Sequence, residues 1–405
     1  MNETKKPAVR FKGFSVEWER HPMDELTTEL HEYATLDSLY PLLTSSREGI
    51  MFQNEYRSNR TTENNKTLFS IVPYGKCTYR HMSDDDIFHF NINDIVENGL
   101  VSREYPVFDS TDDNELRFIV ALLNSSEQFR KFCRERKIGG TRTRLYYKDL
   151  SNFKPLCPEF DEQRNIAEFL DDITSIISYH QSKLEKLQSL KASMLEKMFP
   201  KNGSDVPEIR FKGFDEKWST IELAQIADKV NEKNVQNYIT ETFTNSAEHG
   251  IISQRDFFDH DISKAEKING YYIVEDNDFV YNPRVSVTAP CGPINCNRLG
   301  RTGVMSPLYT VFRTHDIDTL FLEWYFKSSH WYAYMRFNGD SGARSDRFSI
   351  KSDLFFKMPI PIPSMEEQHK IGQALQTLNE NINLNLQELD KLQSIKKALL
   401  EKMFV

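Results

Sequence analysis

The densest chemistry in this sequence is cationic. Residues 130–148, RKFCRERKIGGTRTRLYYK, hold eight Arg or Lys against one acid. A second run, MRFNGDSGARSDRFSIK at 335–351, carries Arg336, Arg344, Arg347 and Lys351. Each crosses a Gly-containing loop, GGTRTR or SGARSDR. Guanidinium groups in such loops can grip phosphate, or take guanine O6 and N7 with two parallel hydrogen bonds. The candidates are Arg136, Lys137, Arg142 and Arg144 in the first run, and Arg336, Arg344 and Arg347 in the second. A lone charge run is more often a solvated face; recurrence at matching places weighs against that use here. Two smaller groups offer related chemistry. Thr44, Ser45, Ser46 and Arg47, and Thr244, Asn245 and Ser246, are short polar side chains ahead of a Gly. Arg80, in Tyr79–Arg80–His81, and Asn282 and Arg284, in Tyr281–Asn282–Pro283–Arg284, stand near strand ends. Such groups can bond phosphates or bases, and ordinary turn chemistry uses the same residues.

Catalytic chemistry is not apparent. Tyr281–Asn282–Pro283 begins like the Asn-Pro-Pro-aromatic loop of amino-methyltransferases, but Arg284–Val285 follows. No strand leads into a glycine-rich cofactor turn, and the phosphate-binding Gly-x-Lys-Ser/Thr loop is missing. Cys77, Cys133, Cys157, Cys291 and Cys296 are an odd, scattered set, which suits reduced thiols in a cytoplasm. Cys291 and Cys296 have no second Cys/His pair at zinc spacing, so no metal is expected. No apolar run approaches the roughly 18–20 residues of a membrane span, and the start, MNETKKPAVRF, has no apolar signal core.

The elements that must position these residues come in duplicate. VRFKGFSVEW at 9–18 returns as IRFKGFDEKW at 209–218, and KLQSLKASMLEKMF at 186–199 as KLQSIKKALLEKMF at 391–404. Between them, Gly99, Ser102, Tyr105, Val107 and Phe108 fall opposite Gly303, Ser306, Tyr309, Val311 and Phe312, at a constant offset of 204. The chain is therefore one unit of about 200 residues written twice. Each copy opens with a mixed segment, 1–152 or 201–356, with breakers between short β-rich runs. The expected fold is α/β (α+β), with a twisted or partly open sheet and helices near 115–131 and 317–332. Each copy closes with a proline-marked stretch and a long helix, 153–200 or 357–405. The helix seams read Ile166, Leu170, Ile173, Ile177, His180, Leu184, Leu187 and Ile371, Leu375, Leu378, Ile382, Asn385, Leu389, Leu392. Steps of four and three give a period of 3.5, the pattern of a coiled coil. His180 and Asn385 interrupt the two seams at the same place, either as a tolerated polar layer or as a register device. A duplicated unit about a pseudo-twofold axis places the two helices antiparallel within one chain. Glu162 and Glu367 lie in the first turns, where negative charge suits the helix dipole.

On these motifs — RFKGF…W before a variable domain, then proline, Glu-Gln and a helix ending LEKMF, all twice — the chain resembles the specificity subunits of type I restriction-modification systems. The resemblance spans nearly the whole chain. It implies two target-recognition domains, 1–152 and 201–356, each reading one half of a bipartite site on double-stranded DNA. It implies that the helical regions hold the two domains apart and dock two methyltransferase subunits, with restriction/translocase subunits joining the assembled complex. It implies no catalysis and no cofactor in this chain, with S-adenosylmethionine, ATP and Mg carried by partners. The charge balance is awkward for this reading. The chain carries −9, with 21 basic and 24 acidic residues in 1–152 and 18 against 22 in 201–356. That balance favours the rival, a non-catalytic coiled-coil adaptor with two protein-binding α/β modules. Local rather than net charge governs phosphate contact, which keeps the basic runs in play.

Overall fold

The computed structural model describes residues 6–56, 66–137, 142–201, 203–257, 265–340 and 346–404. Tertiary contacts divide the chain into two compact units, 1–181 with 387–405, and 182–386. The divisions fall inside both long helices, Phe160–Lys197 and Met365–Met403, rather than at the boundaries of the repeats. The reason is that each unit gathers one mixed segment, part of the first helix and part of the second.

In the first unit a four-stranded antiparallel sheet runs Thr27–Glu29, Val107–Ser110, Cys77–Tyr79, Phe90–Ile92. The second unit repeats that order with Ala227–Lys229, Thr310–Thr314, Phe279–Tyr281, Ile294–Cys296. Phe108 and Phe312, matched at the offset of 204, hold equivalent registers, opposite Cys77 and Phe279. Both rings are fully buried in their unit's core. In each unit a separate hairpin, Leu43–Ser45 with Ile50–Phe52 or Phe243–Ser246 with Gly250–Ser253, carries the short polar segment.

The helices expected near 115–131 and 317–332 are each two shorter ones: Leu116–Ser125 and Glu127–Glu135, Thr319–Lys327 and Tyr332–Asn338. The break in the first unit is Ser126, whose backbone is extended and whose side chain accepts from Phe129 N–H at 3.2 Å. A Ser bonding its neighbour's backbone starts a new helix rather than continuing the old one.

The seams behave as their period requires. Ile166, Leu170, Ile173 and Ile177 are buried, as are Ile371, Leu375, Leu378, Ile382, Asn385 and Leu389, while His180, Leu184, Leu187 and Leu392 are half-buried. Within the first unit, Ile166 and Leu170 share a core with Met403 and Phe404, and Lys396 Nζ donates to Thr174 Oγ1 at 2.8 Å. Within the second, Met198 packs with Ile371, and Lys191 Nζ donates to Asn379 Oδ1 at 2.6 Å. In each unit, moving forward along one helix segment means moving back along the other, so the segments run antiparallel.

The repeated motifs explain how the helices are anchored. Arg10 of the first RFKGF grips Glu162 through Nε and Nη2, both at 2.6 Å. Arg210 of the second grips Glu367 at 2.7 and 2.8 Å. Both carboxylates are buried, so their place in the first helical turn serves this clamp and not only the helix dipole. The adjacent glutamines ties the mixed segment to the same point: Gln163 accepts from Glu115 N–H, and Gln368 from Asp318 N–H, each at 3.0 Å.

Candidate nucleic-acid interface

The polar hairpins are seated by missing side chains. A Cβ on Gly99 would lie 2.1 Å from Leu43 Cδ1, and one on Gly303 would lie 2.4 Å from the Phe243 ring. Leu43 and Phe243 immediately precede Thr44 and Thr244, so each glycine lets the strand beside it approach closely enough to present the hairpin. A pair of asparagines then pins the turn. Asn91 Nδ2 donates to Ser45 Oγ at 2.7 Å and Ser46 O at 2.9 Å. Asn295 Nδ2 donates to Asn245 Oδ1, and to Ser246 O at 2.9 Å. Sequence reasoning missed both, although they too stand 204 apart.

In the first unit this arrangement shapes a recess of about 360 Å³. Thr44–Arg47, Arg80 and His81 line it together with Ser83, Asp84 and Tyr105. The strand Thr143–Arg144 pairs with Met82–Ser83, Arg144 opposite Met82, which brings the end of the basic run to the same face. His81 is buried in the wall and stacks on Tyr146, their ring centres 5.1 Å apart. Burial lowers its pKa, so the imidazole is neutral at pH 7. The exposed cations of this face are not bare. Arg47 Nη2 donates to Asp85 Oδ1 at 2.6 Å, Arg142 Nε to Asp84 Oδ1 at 2.7 Å, and Lys137 Nζ sits 3.3 Å from Asp86 Oδ1. Asp84, Asp85 and Asp86 were overlooked in the sequence because nothing local marks their partners.

Not every candidate faces outward. Ser45 is buried, donating to Thr78 O at 3.3 Å, and Asn245 is buried, donating to Val280 O at 2.7 Å. Both are internal ties rather than contact groups, because an inward strand position buries the side chain and demands a partner. Asn282 is also buried, bonding Asn245 O at 2.8 Å and accepting from Arg284 N–H at 3.0 Å. Arg136 folds back over Phe132, 3.3 Å from the ring centre, and caps Phe132 O. Thr44, Ser46, Thr244 and Ser246 are half-buried; Arg47, Arg80, Lys137, Arg142, Arg144, Arg284 and Arg336 are exposed.

In the second unit Asn282 ties the segment that carries Arg284 to the hairpin through Asn245 O. Arg284 bridges Arg347 through the backbone, and its guanidinium lies 3.9 Å from Asp346. The Arg336 guanidinium lies 6.0 Å from the Tyr332 ring centre. Arg344, with Ile138–Thr141 of the first basic loop, lies outside the described residues. Among the described residues no group of three or more His, Cys, Asp or Glu is placed to hold a metal ion, and no helix is long and apolar enough to cross a membrane.

Comparison with known proteins converges on one family. Residues 215–394 match the type I restriction modification DNA specificity domain. Two proteins of Methanocaldococcus jannaschii described as type I restriction enzyme specificity subunits are similar. MjaX, a provisional assignment, is 23% identical over 70% of this chain and 66% of its own length. MjaVIII is 21% identical over 62% and 61%. The chain thus spans slightly under two-thirds of either relative. The fold matches the crystal structure of a type I restriction-modification system S subunit from M. genitalium, with a TM-score of 0.58, 14% identity and 99% of both chains covered. By its duplicated motifs and these relatives the chain is similar to the specificity subunits of type I restriction-modification systems, and its fold is similar to that of the M. genitalium S subunit.

Proposed function

We propose that this chain reads a bipartite site on double-stranded DNA and catalyses nothing itself. Residues 1–152 and 201–356 act as target-recognition domains, one per half-site. The long helices set the spacer and dock two methyltransferase subunits, through which restriction/translocase subunits join in the cytoplasm. S-adenosylmethionine, ATP and Mg belong to those partners. The observation that carries this reading is a convergence made twice. In the first unit the polar hairpin, the exposed Arg80 after the third sheet strand and the return of the basic run lie on one face, and in the second the segment carrying Arg284 is tied both to the hairpin and to Arg347 of its basic run. Two reading heads on a common scaffold suit a ligand whose sites are separated, and make half-site spacing a property of the protein. The test is to exchange residues 15–150 for another recognition domain and map methylation by the assembled complex. One half of the recognised sequence changes, while the other half and the spacing persist. A change in both halves together would overturn the two-head reading.

A further inference from the structure

Asp84, Asp85 and Asp86 meet three cations from three separate segments. Arg47 comes from the hairpin turn, Lys137 from beyond the helix Glu127–Glu135, and Arg142 from the approach to strand Thr143–Arg144. Two of the acids are themselves fixed: Ser83 Oγ donates to Asp85 Oδ1 at 2.8 Å, and Thr143 Oγ1 donates to Asp86 Oδ1. The cationic side chains remain 55%, 38% and 53% exposed for Arg47, Lys137 and Arg142, so a phosphate can reach them. Each nevertheless already faces a carboxylate, and the six groups together carry no formal charge. The Arg47 guanidinium holds the Asp85 carboxyl at about 2, so that pair stays ionised at any working pH.

We propose that Asp84, Asp85 and Asp86 are specificity-determining residues of the first head, acting as built-in counter-ions that suppress its sequence-independent attraction to DNA. The proposal rests on the DNA-reading function above. Non-specific affinity comes from cations that replace the counter-ions condensed on phosphate. A cation held by a carboxylate contributes less, because the phosphate must displace that carboxylate and is repelled by it. Contacts to base edges do not depend on this term, so cancelling it raises the ratio of specific to non-specific binding. The second head shows a sparser version, the Arg284–Asp346 pair at 3.9 Å.

The experiment measures binding of the full chain, alone and with methyltransferase subunits, to random-sequence duplex DNA by fluorescence anisotropy at about 50 and about 200 mM salt. The variants are D84N/D85N/D86N and the single D84N, which alters one exposed side chain and so guards against misfolding. D112N/D113N is the charge control, since these exposed acids lie outside the recess. The triple variant is expected to bind random DNA about tenfold or more tightly at the lower salt, with a salt slope steeper by roughly two to three. D84N should move both by about a third as much, and D112N/D113N should move neither. Unchanged or weaker binding by both the triple variant and D84N, or an equal gain per charge in the control, would overturn the proposal while leaving the DNA-reading function standing. If the unaltered chain binds no DNA even with its partners, that function falls and the proposal falls with it.

Discussion

Replacing Glu162 by Gln tests how the repeated motifs hold a globular segment to its helix. The carboxylate is 1% exposed and accepts two hydrogen bonds from Arg10 at 2.6 Å, plus one from Trp18 Nε1 at 3.3 Å. The Arg10 side chain is only 13% exposed. With about 4 Å between charge centres and an effective dielectric near 20, the attraction is roughly 4 kcal/mol. Stripping water from both ions costs several kcal/mol each, so the intact pair contributes little net stability. Breaking it is another matter. Gln keeps the shape but leaves a guanidinium with little water and no counter-charge, a loss of about 3–5 kcal/mol. The residual exposure of Arg10 places the expected value near the lower end. An R10M/E162L double variant, apolar on both sides, should recover part of that loss, the buried Trp18 N–H being left without its acceptor. A chain with two cores need not unfold as one, so the assay is urea-dependent hydrogen exchange read by mass spectrometry on separate peptides. Protection should fall in peptides spanning residues 6–20 and 160–175 and hold in those spanning 208–222 and 365–380. A loss below about 0.5 kcal/mol, or a double variant no better than the single one, would refute the reasoning.

The glycines that seat the hairpins should respond unequally. Gly303→Ala pushes against the buried, rigid Phe243 ring and should cost about 1–3 kcal/mol by thermal or chemical unfolding, whereas Gly99→Ala meets the movable end of Leu43 and should cost less. The pair R142A/R144A should lower the salt slope of DNA binding by about one unit per lost phosphate contact, or relax one half-site position at a cost of roughly 1–3 kcal/mol if bases are touched. Unchanged affinity and slope in folded protein would move the contact surface to the Thr44–Arg47 hairpin. Burial raises the Cys133 and Cys157 thiols to about 12, so at about pH 8 both stay protonated, and iodoacetamide should label them only after unfolding. Labelling of either in native protein, read by mass spectrometry, would contradict that burial.

What the amino-acid sequence determined by itself is whatever repeats along one dimension. The duplication shows as matched stretches at offsets of 200 to 205, and the helix seams show as a period of 3.5, because a periodic stripe must be buried wherever the helix packs. The offset of 204 links Phe108 with Phe312, which hold equivalent registers in their own sheets, and Asn91 with Asn295, which pin equivalent turns. Only the tertiary structure decided which polar groups are turned outward and which charges meet. Ser45 and Arg47 are two residues apart, yet one is buried and bonds Thr78 O while the other is exposed and reaches Asp85, since strand pairing and the turn assign their faces. Asp84, Asp85 and Asp86 find cations 58, 38 and 51 positions away. Arg10 finds Glu162 across 152. No local pattern encodes such partners. They are set by the register of strands that bring distant segments side by side, and by the cost of leaving a charge without a partner where water is scarce.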